Sequence, residues 1–150
     1  MLECLPCRNN VLEPAALPPR ERVYDDGLWR VAHSFNSALP GWMVVIARRH
    51  ITSLAETTPE EAIALGPLLR ELSAALGQVV GARKCYVLFL AEAEGFGHVH
   101  IHVVPRRANL PADRRGAQIF GYLSQPQDQW VAPAEMDRIA LETGRLLRPQ

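Results

Sequence analysis

The 150-residue sequence predicts an α+β fold, an antiparallel sheet of about five strands with one long central helix and a C-terminal helix. Three observations point there. Strand-like runs and helical stripes follow in the order β-β-β-α-β-β-α, with hairpins and few crossovers between them. Two stretches keep an apolar stripe at helical spacing. Composition is that of an ordinary globular chain, 48% hydrophobic and 21% charged, and a chain of this length buries roughly two thirds of its unfolded surface.

Taken in order, the chain opens with Cys4 and Cys7 and continues through residues 8–20, which are rich in Pro and lack a period. That stretch reads as an extended arm or loop. Runs at about 21–25 and 28–34 flank Asp25-Asp26-Gly27, a hairpin signal. After a turn at Leu39-Pro40-Gly41, Trp42–Ala47 is a continuous apolar run that suits a central, doubly covered strand. Thr58-Pro59-Glu60-Glu61 starts a helix: Thr58 caps it, Pro59 suits its first position and Glu61 completes a capping box. Leu65, Leu68, Leu69, Leu72, Leu76 and Val79 form its core face, Pro67 is expected to bend it, and Gly81 ends it. Lys84–Ala91 reads as another buried strand, with Cys85 as a small core hydrophobe. Gly95-Phe96-Gly97 makes a flexible connection to a strand over His98–Val104. Residues 106–132 look irregular, and Pro133–Leu147 carries a helical stripe of Met136, Ile139, Ala140, Thr143, Leu146 and Leu147. The reading is one domain over residues 1–150, with an N-terminal arm at 1–20 and a C-terminal extension at 108–150.

Sixteen basic residues cancel sixteen acidic ones, so no net field favours nucleic acid or an anionic membrane. No run of about 20 apolar residues and no signal-peptide pattern is present, and a cytoplasmic place is expected. Arg48, Arg49, Arg106 and Arg107 lack an aromatic platform and read as a solvated rim around a small anionic site. Three cysteines make a poor disulfide framework. The C-x2-C spacing of Cys4 and Cys7 suits one tetrahedral metal, a redox pair, or two cysteines that merely lie near a terminus.

The chemistry concentrates in His98-Val99-His100-Ile101-His102-Val103-Val104. On a strand, the three imidazoles share one face while Val99, Ile101 and Val103 anchor the other. Two residues of strand rise span roughly 6.6 Å, so a phosphate can lie between neighbouring rings. Imidazole attacks phosphorus when neutral and donates a proton when charged, with an unperturbed pKa of about 6.5. A metal held by the same histidines is the competing reading, since H-x-H on a strand is a zinc geometry.

That string resembles the histidine triad motif, His-φ-His-φ-His-φ-φ, of the HIT superfamily of nucleotide hydrolases and transferases. Pro40-Gly41-Trp42-Met43-Val44-Val45-Ile46-Ala47-Arg48-Arg49-His50 is similar to the family's PGH-φφφ-P-K-x-H segment, and Cys4/Cys7 to the C-x2-C opening of many bacterial members. The resemblance covers roughly residues 4 to 107 and implies a HIT-like fold. It implies that His100 is the nucleophile, that His102 contacts the phosphate and aids the leaving group, and that His98 completes the triad. The reaction implied is cleavage of a nucleoside 5′-phosphate derivative, a phosphoramidate or a dinucleoside polyphosphate, at the α-phosphorus. Histidine rather than Gln at position 102 favours the hydrolase branches over nucleotidylyl transfer. The resemblance also implies a structural zinc held by Cys4, Cys7, His50 and His98, which would make residues 1–20 a zinc-binding arm, and a homodimer.

For the phosphate, backbone N–H groups around Gly95, Phe96 and Gly97 are candidates, and Glu94 stands where the family carries Gln. Gly95 replaces the usual Ser or Thr, and Trp42 stands where most members have the histidine of PGH. Asn36 or Ser34 is the candidate ribose contact, and His33 reads as non-catalytic. The alternative to a hydrolase is a zinc-stabilised nucleotide-binding module with little turnover, for which Trp42, Glu94 and Gly95 are the motive.

Overall fold

In the computed structural model, a five-stranded antiparallel sheet runs in the order β1-β2-β3-β5-β4, from β1 (Tyr24–Asp25), β2 (Trp29–His33), β3 (Met43–Ala47), β4 (Ala82–Phe89) and β5 (His100–Arg107). The structure describes residues 4–148; the two ends of the expected 1–150 unit, residues 1–3 and 149–150, lie outside the described residues.

Alternation sorts the sheet into two faces. Trp29, Val31, Met43, Val45, Ala47, Ile101 and Val103 belong to the main core, together with Leu68, Leu72, Ala75 and Leu76 of helix α2 (Pro59–Val80) and Ile139, Ala140 and Leu147 of helix α3 (Pro133–Leu147). Residues of the opposite parity, Arg30, Ala32, Val44, Ile46, His100 and His102, form the floor of a cleft. Beside them a second cluster packs Trp42, Val104, Leu39, Leu110 and Ile119. Residues 112–129 supply part of this cover through three 3-10 turns.

Helix α2 starts as its sequence dictates. Thr58 accepts from the Glu61 backbone N–H at 3.1 Å, and the Glu61 carboxylate accepts from the Thr58 N–H at 2.8 Å. It ends at Gly81 with φ +72, the left-handed conformation that glycine adopts without strain. The helix is long and apolar enough to cross a membrane, with a hydropathy of 1.3, and here it spends its leucine stripe on the sheet. At the turn before β3, Gly41 has φ +86 and sits where an added Cβ would meet Val80 Cγ2 at 3.0 Å. Only glycine suits both demands.

Three expectations change. Residues 8–20 are not simply extended: helix α1 (Leu5–Asn10) and 3-10 turns at Pro14–Ala16 and Pro19–Glu21 fill the arm. Proline at the first positions of each fixes φ where a missing N–H costs nothing. β4 is not a buried strand; it is an edge of the sheet, and Val87 is 48% exposed. A run of apolar residues cannot reveal which strand lies outermost. The strand expected over His98–Val104 instead spans His100–Arg107, and His98 precedes it. Its neighbour Val99 still bonds across, its C=O accepting from the Ala47 N–H at the end of β3 at 3.1 Å and its N–H donating to Ile51 O in the turn that follows at 2.8 Å.

Candidate active site and metal centre

That irregular pairing divides the histidine string between two sites. His98 is fully buried and donates from Nε2 to Ala47 O at 2.6 Å, which leaves the Nδ1 lone pair free. This Nδ1 lies 3.2 Å from His50 Nδ1, 3.4 Å from Cys7 Sγ and 3.5 Å from Cys4 Sγ; Cys7 Sγ is 3.2 Å from His50 Nδ1. A tetrahedral ion with two thiolate and two imidazole ligands has donor-to-donor edges of about 3.3–3.8 Å. The four donors, all within 4.8 Å of one another, therefore fit one tetrahedral metal ion. Burial, then the neighbouring Cys4, pushes the Cys7 thiol up to about 11. A cation at the centre reverses that tendency.

Local sequence builds this centre. Cys4 takes the N-cap position of α1 and Cys7 lies in its first turn, so both thiols emerge on one side. Asn10 moors the helix by donating to Ala47 O at 2.9 Å and Arg48 O at 3.2 Å, while accepting from buried Arg30 Nε at 2.9 Å. Arg30 also pairs with Glu21 at 3.1 Å.

His100 and His102 remain on the strand, adjacent on one face with ring centroids 5.1 Å apart. The His100 Nδ1–H donates to His98 O at 2.8 Å, so Nε2 keeps its lone pair. His102 Nδ1 accepts from Trp42 Nε1–H at 2.9 Å. Burial, aided by the charge of His100, lowers the His102 pKa to about 4.

Both rings open on a cleft of about 380 Å³. Ala32, Val44 and Ile46 floor it, Leu5, Pro6 and Asn9 of α1 wall one end, and Phe35, Asn36 and Phe96 line it above. Phe96 lies 6.4 Å from Phe35 in a stacked arrangement and 6.4 Å from His100 edge-on. Asn36 accepts from Ser34 Oγ at 3.0 Å. His33 has both nitrogens engaged, Nδ1–H to Ser34 O and Nε2 from the Gly41 N–H, each at 2.9 Å.

Of the expected phosphate loop, only Phe96 lines the cleft; Glu94, Gly95 and Gly97 are exposed and outside its lining. The cause is a turn in which Phe96 N–H donates to Ala93 O at 2.9 Å around Gly95 at φ +79. Ala91, Glu92 and Ala93 take the lining positions instead. Sequence reasoning also passed over Arg30, Glu21 and Asn9. The parity of Arg30 with Ala32 was the available signal; the meeting with Glu21 depends on how the arm folds.

Comparison with known proteins follows the same lines. The HIT domain family matches residues 17–109. A zinc-bound histidine triad family protein from Mycobacterium smegmatis superposes with TM-score 0.69 at 19% identity, over 97% of this chain and 96% of that one. A histidine triad protein from Bradyrhizobium japonicum gives 0.69 at 18%, over 91% and 97%. A hypothetical histidine triad nucleotide-binding protein from Sulfolobus tokodaii gives 0.65 at 17%, over 93% and 92%. At these identities the likeness is one of fold. No curated protein matches the chain.

Proposed function

Because the chain belongs to the histidine triad family, we propose that it is a nucleotide-binding hydrolase that cleaves a nucleoside 5′-phosphate derivative at the α-phosphorus. The substrate class is a phosphoramidate or a dinucleoside polyphosphate, and a nucleotidyl-histidine forms on His100. One observation carries this reading: a ring whose Nδ1–H is committed to His98 O at 2.8 Å, with its Nε2 lone pair left over, on the floor of an otherwise largely apolar cleft.

Water is the one co-reactant of the two displacements. The Nε2 lone pair forms the N–P bond, the bond from phosphorus to the leaving group breaks, and its electron pair departs with that group. Water then attacks the phosphorus and loses a proton, the equivalent of which the departed group takes up through solvent, the N–P bond breaks, and the ring regains its lone pair as nucleoside monophosphate leaves. His102, next to it on the same face, contacts the phosphate and aids departure. Ala32, Val44 and Ile46 give the nucleoside an apolar bed, with Phe35 and Phe96 as aromatic surfaces and Asn36 near the ribose.

Cys4, Cys7, His50 and His98 would hold zinc, whose chemistry there is structural: four protein donors leave no open position for substrate. The reading further expects a homodimer in the cytoplasm, with no nucleic-acid or membrane partner.

Nucleoside monophosphate release, followed by chromatography on adenosine 5′-phosphoramidate and a diadenosine polyphosphate, tests it. Wild type should release the monophosphate and His100→Ala should not. A folded, metal-containing protein that binds nucleotide yet releases nothing is a binding module instead.

A further inference from the structure

We propose that Trp42 is a positioning residue for this reaction: its indole N–H, donated to His102 Nδ1, holds that ring in the tautomer whose proton sits on Nε2. The inference rests on reading His100 and His102 as the reacting pair.

Indole nitrogen donates and cannot accept. At 2.9 Å from Trp42 Nε1, His102 Nδ1 must therefore offer a lone pair, and the proton of the neutral ring is placed on Nε2. That nitrogen is the one left to donate to a phosphate oxygen. The neighbouring ring has the reverse arrangement, since His100 keeps its proton on Nδ1 for His98 O. The pair thus presents one lone pair and one N–H to the same cleft, which attack on an anionic phosphate requires.

The geometry holding Trp42 is rigid. Trp42 is fully buried, and sheet register sets it diagonal to His102, since Met43 pairs with Val103 and Val44 with His102. Phe120, from the C-terminal extension, stands edge-on to both rings at 5.5 Å, and Trp42 and His102 meet edge-on at 5.7 Å. Across the strands His102 faces Val44 and Leu88, which bring no charge. The ionisable side chains of the cleft are His100, beside it, and His33, Glu21, Arg30 and Glu92. Protonating Nδ1 would set N–H against N–H, so the bond opposes the imidazolium independently of burial.

The test uses the whole 150-residue chain, labelled with 15N-histidine. In wild type, His102 should show its N–H on Nε2 and a bare Nδ1. In Trp42→Phe, the fixed tautomer should be lost and kcat should fall by about 10²-fold with little change in KM, the signature of a misplaced reacting group. Trp42→His, whose ring again carries a donor, should keep more of kcat than Trp42→Phe; should Trp42→Phe not fold, this variant and the wild-type spectrum decide. Absence of turnover by wild type would count against the hydrolase reading itself. A working enzyme with its proton on Nδ1 of His102, or with kcat unchanged in Trp42→Phe, would overturn the role of Trp42.

Discussion

An imidazole offers at one nitrogen what the partner of its other nitrogen permits. Ala47 O takes the His98 Nε2–H and frees Nδ1 for the metal cluster; His98 O takes the His100 Nδ1–H and frees Nε2 for the cleft. His100 is half-buried, and its one side-chain hydrogen bond among the described residues goes to His98 O, just before its own strand. His100→Ala should therefore keep the fold, as circular dichroism would show, while turnover falls by about 10³-fold or more. Glu61 ties stability to pH. Its hydrogen bonds to Arg49 at 2.6 and 2.8 Å, backed by the Thr58 N–H, hold its carboxyl down to about 2, against an ordinary 4.5. A lowered pKa stabilises the fold above the unfolded value and is lost as pH falls towards the folded one. Glu61→Gln should consequently be less stable than wild type at pH 7. The gap should close between about pH 4.5 and about 2, as read from urea midpoints.

Among the elements, α2 and α1 depend on different forces. Thr58→Ala removes one half of the capping box of α2 and should cost about 1 kcal/mol in urea unfolding. Helix α1 has six residues, too few to be stable alone. Asn10 and the metal cluster are its moorings, so chelation or Cys7→Ser should speed amide exchange in α1 before the sheet is affected. Much of this organisation is legible in sequence. Thr58 and Glu61 announce the start of α2, the stripe from Met136 to Leu147 marks α3, and the alternation of histidine with valine and isoleucine separates chemistry from core. What stays hidden is tertiary. The outermost position of β4 depends on strand order, not on Lys84–Ala91 itself. The displacement of His98 from β5 depends on the turn after β3 that Val99 meets. Trp42 reads as a missing histidine until register brings its N–H to His102, and a turn closing at Phe96 puts Glu92 rather than Glu94 in the cleft lining.

On the scale of the whole molecule, the sheet and the Cys4, Cys7, His50 and His98 cluster form one support for the cleft. α1 walls its end, and His98 belongs to the cluster by its side chain and to His100 by its carbonyl. Removing a metal held there should thus lower Tm and weaken the proposed nucleotide binding together, which calorimetry with and without a chelator would show. Acid should act similarly. Burial lowers the pKa of both His33 and His102, the latter to about 4, so the unfolded chain takes up protons first below about 6.5. Stability should fall as pH drops through that window. The proposed reaction passes through a covalent step on His100. Protein quenched in alkali during turnover, then analysed by intact and peptide mass spectrometry, tests it most directly. A nucleoside monophosphate adduct on the peptide bearing His100, absent in His100→Ala, is the result expected. An adduct on another residue, or turnover with no adduct during a pre-steady-state burst, would contradict it.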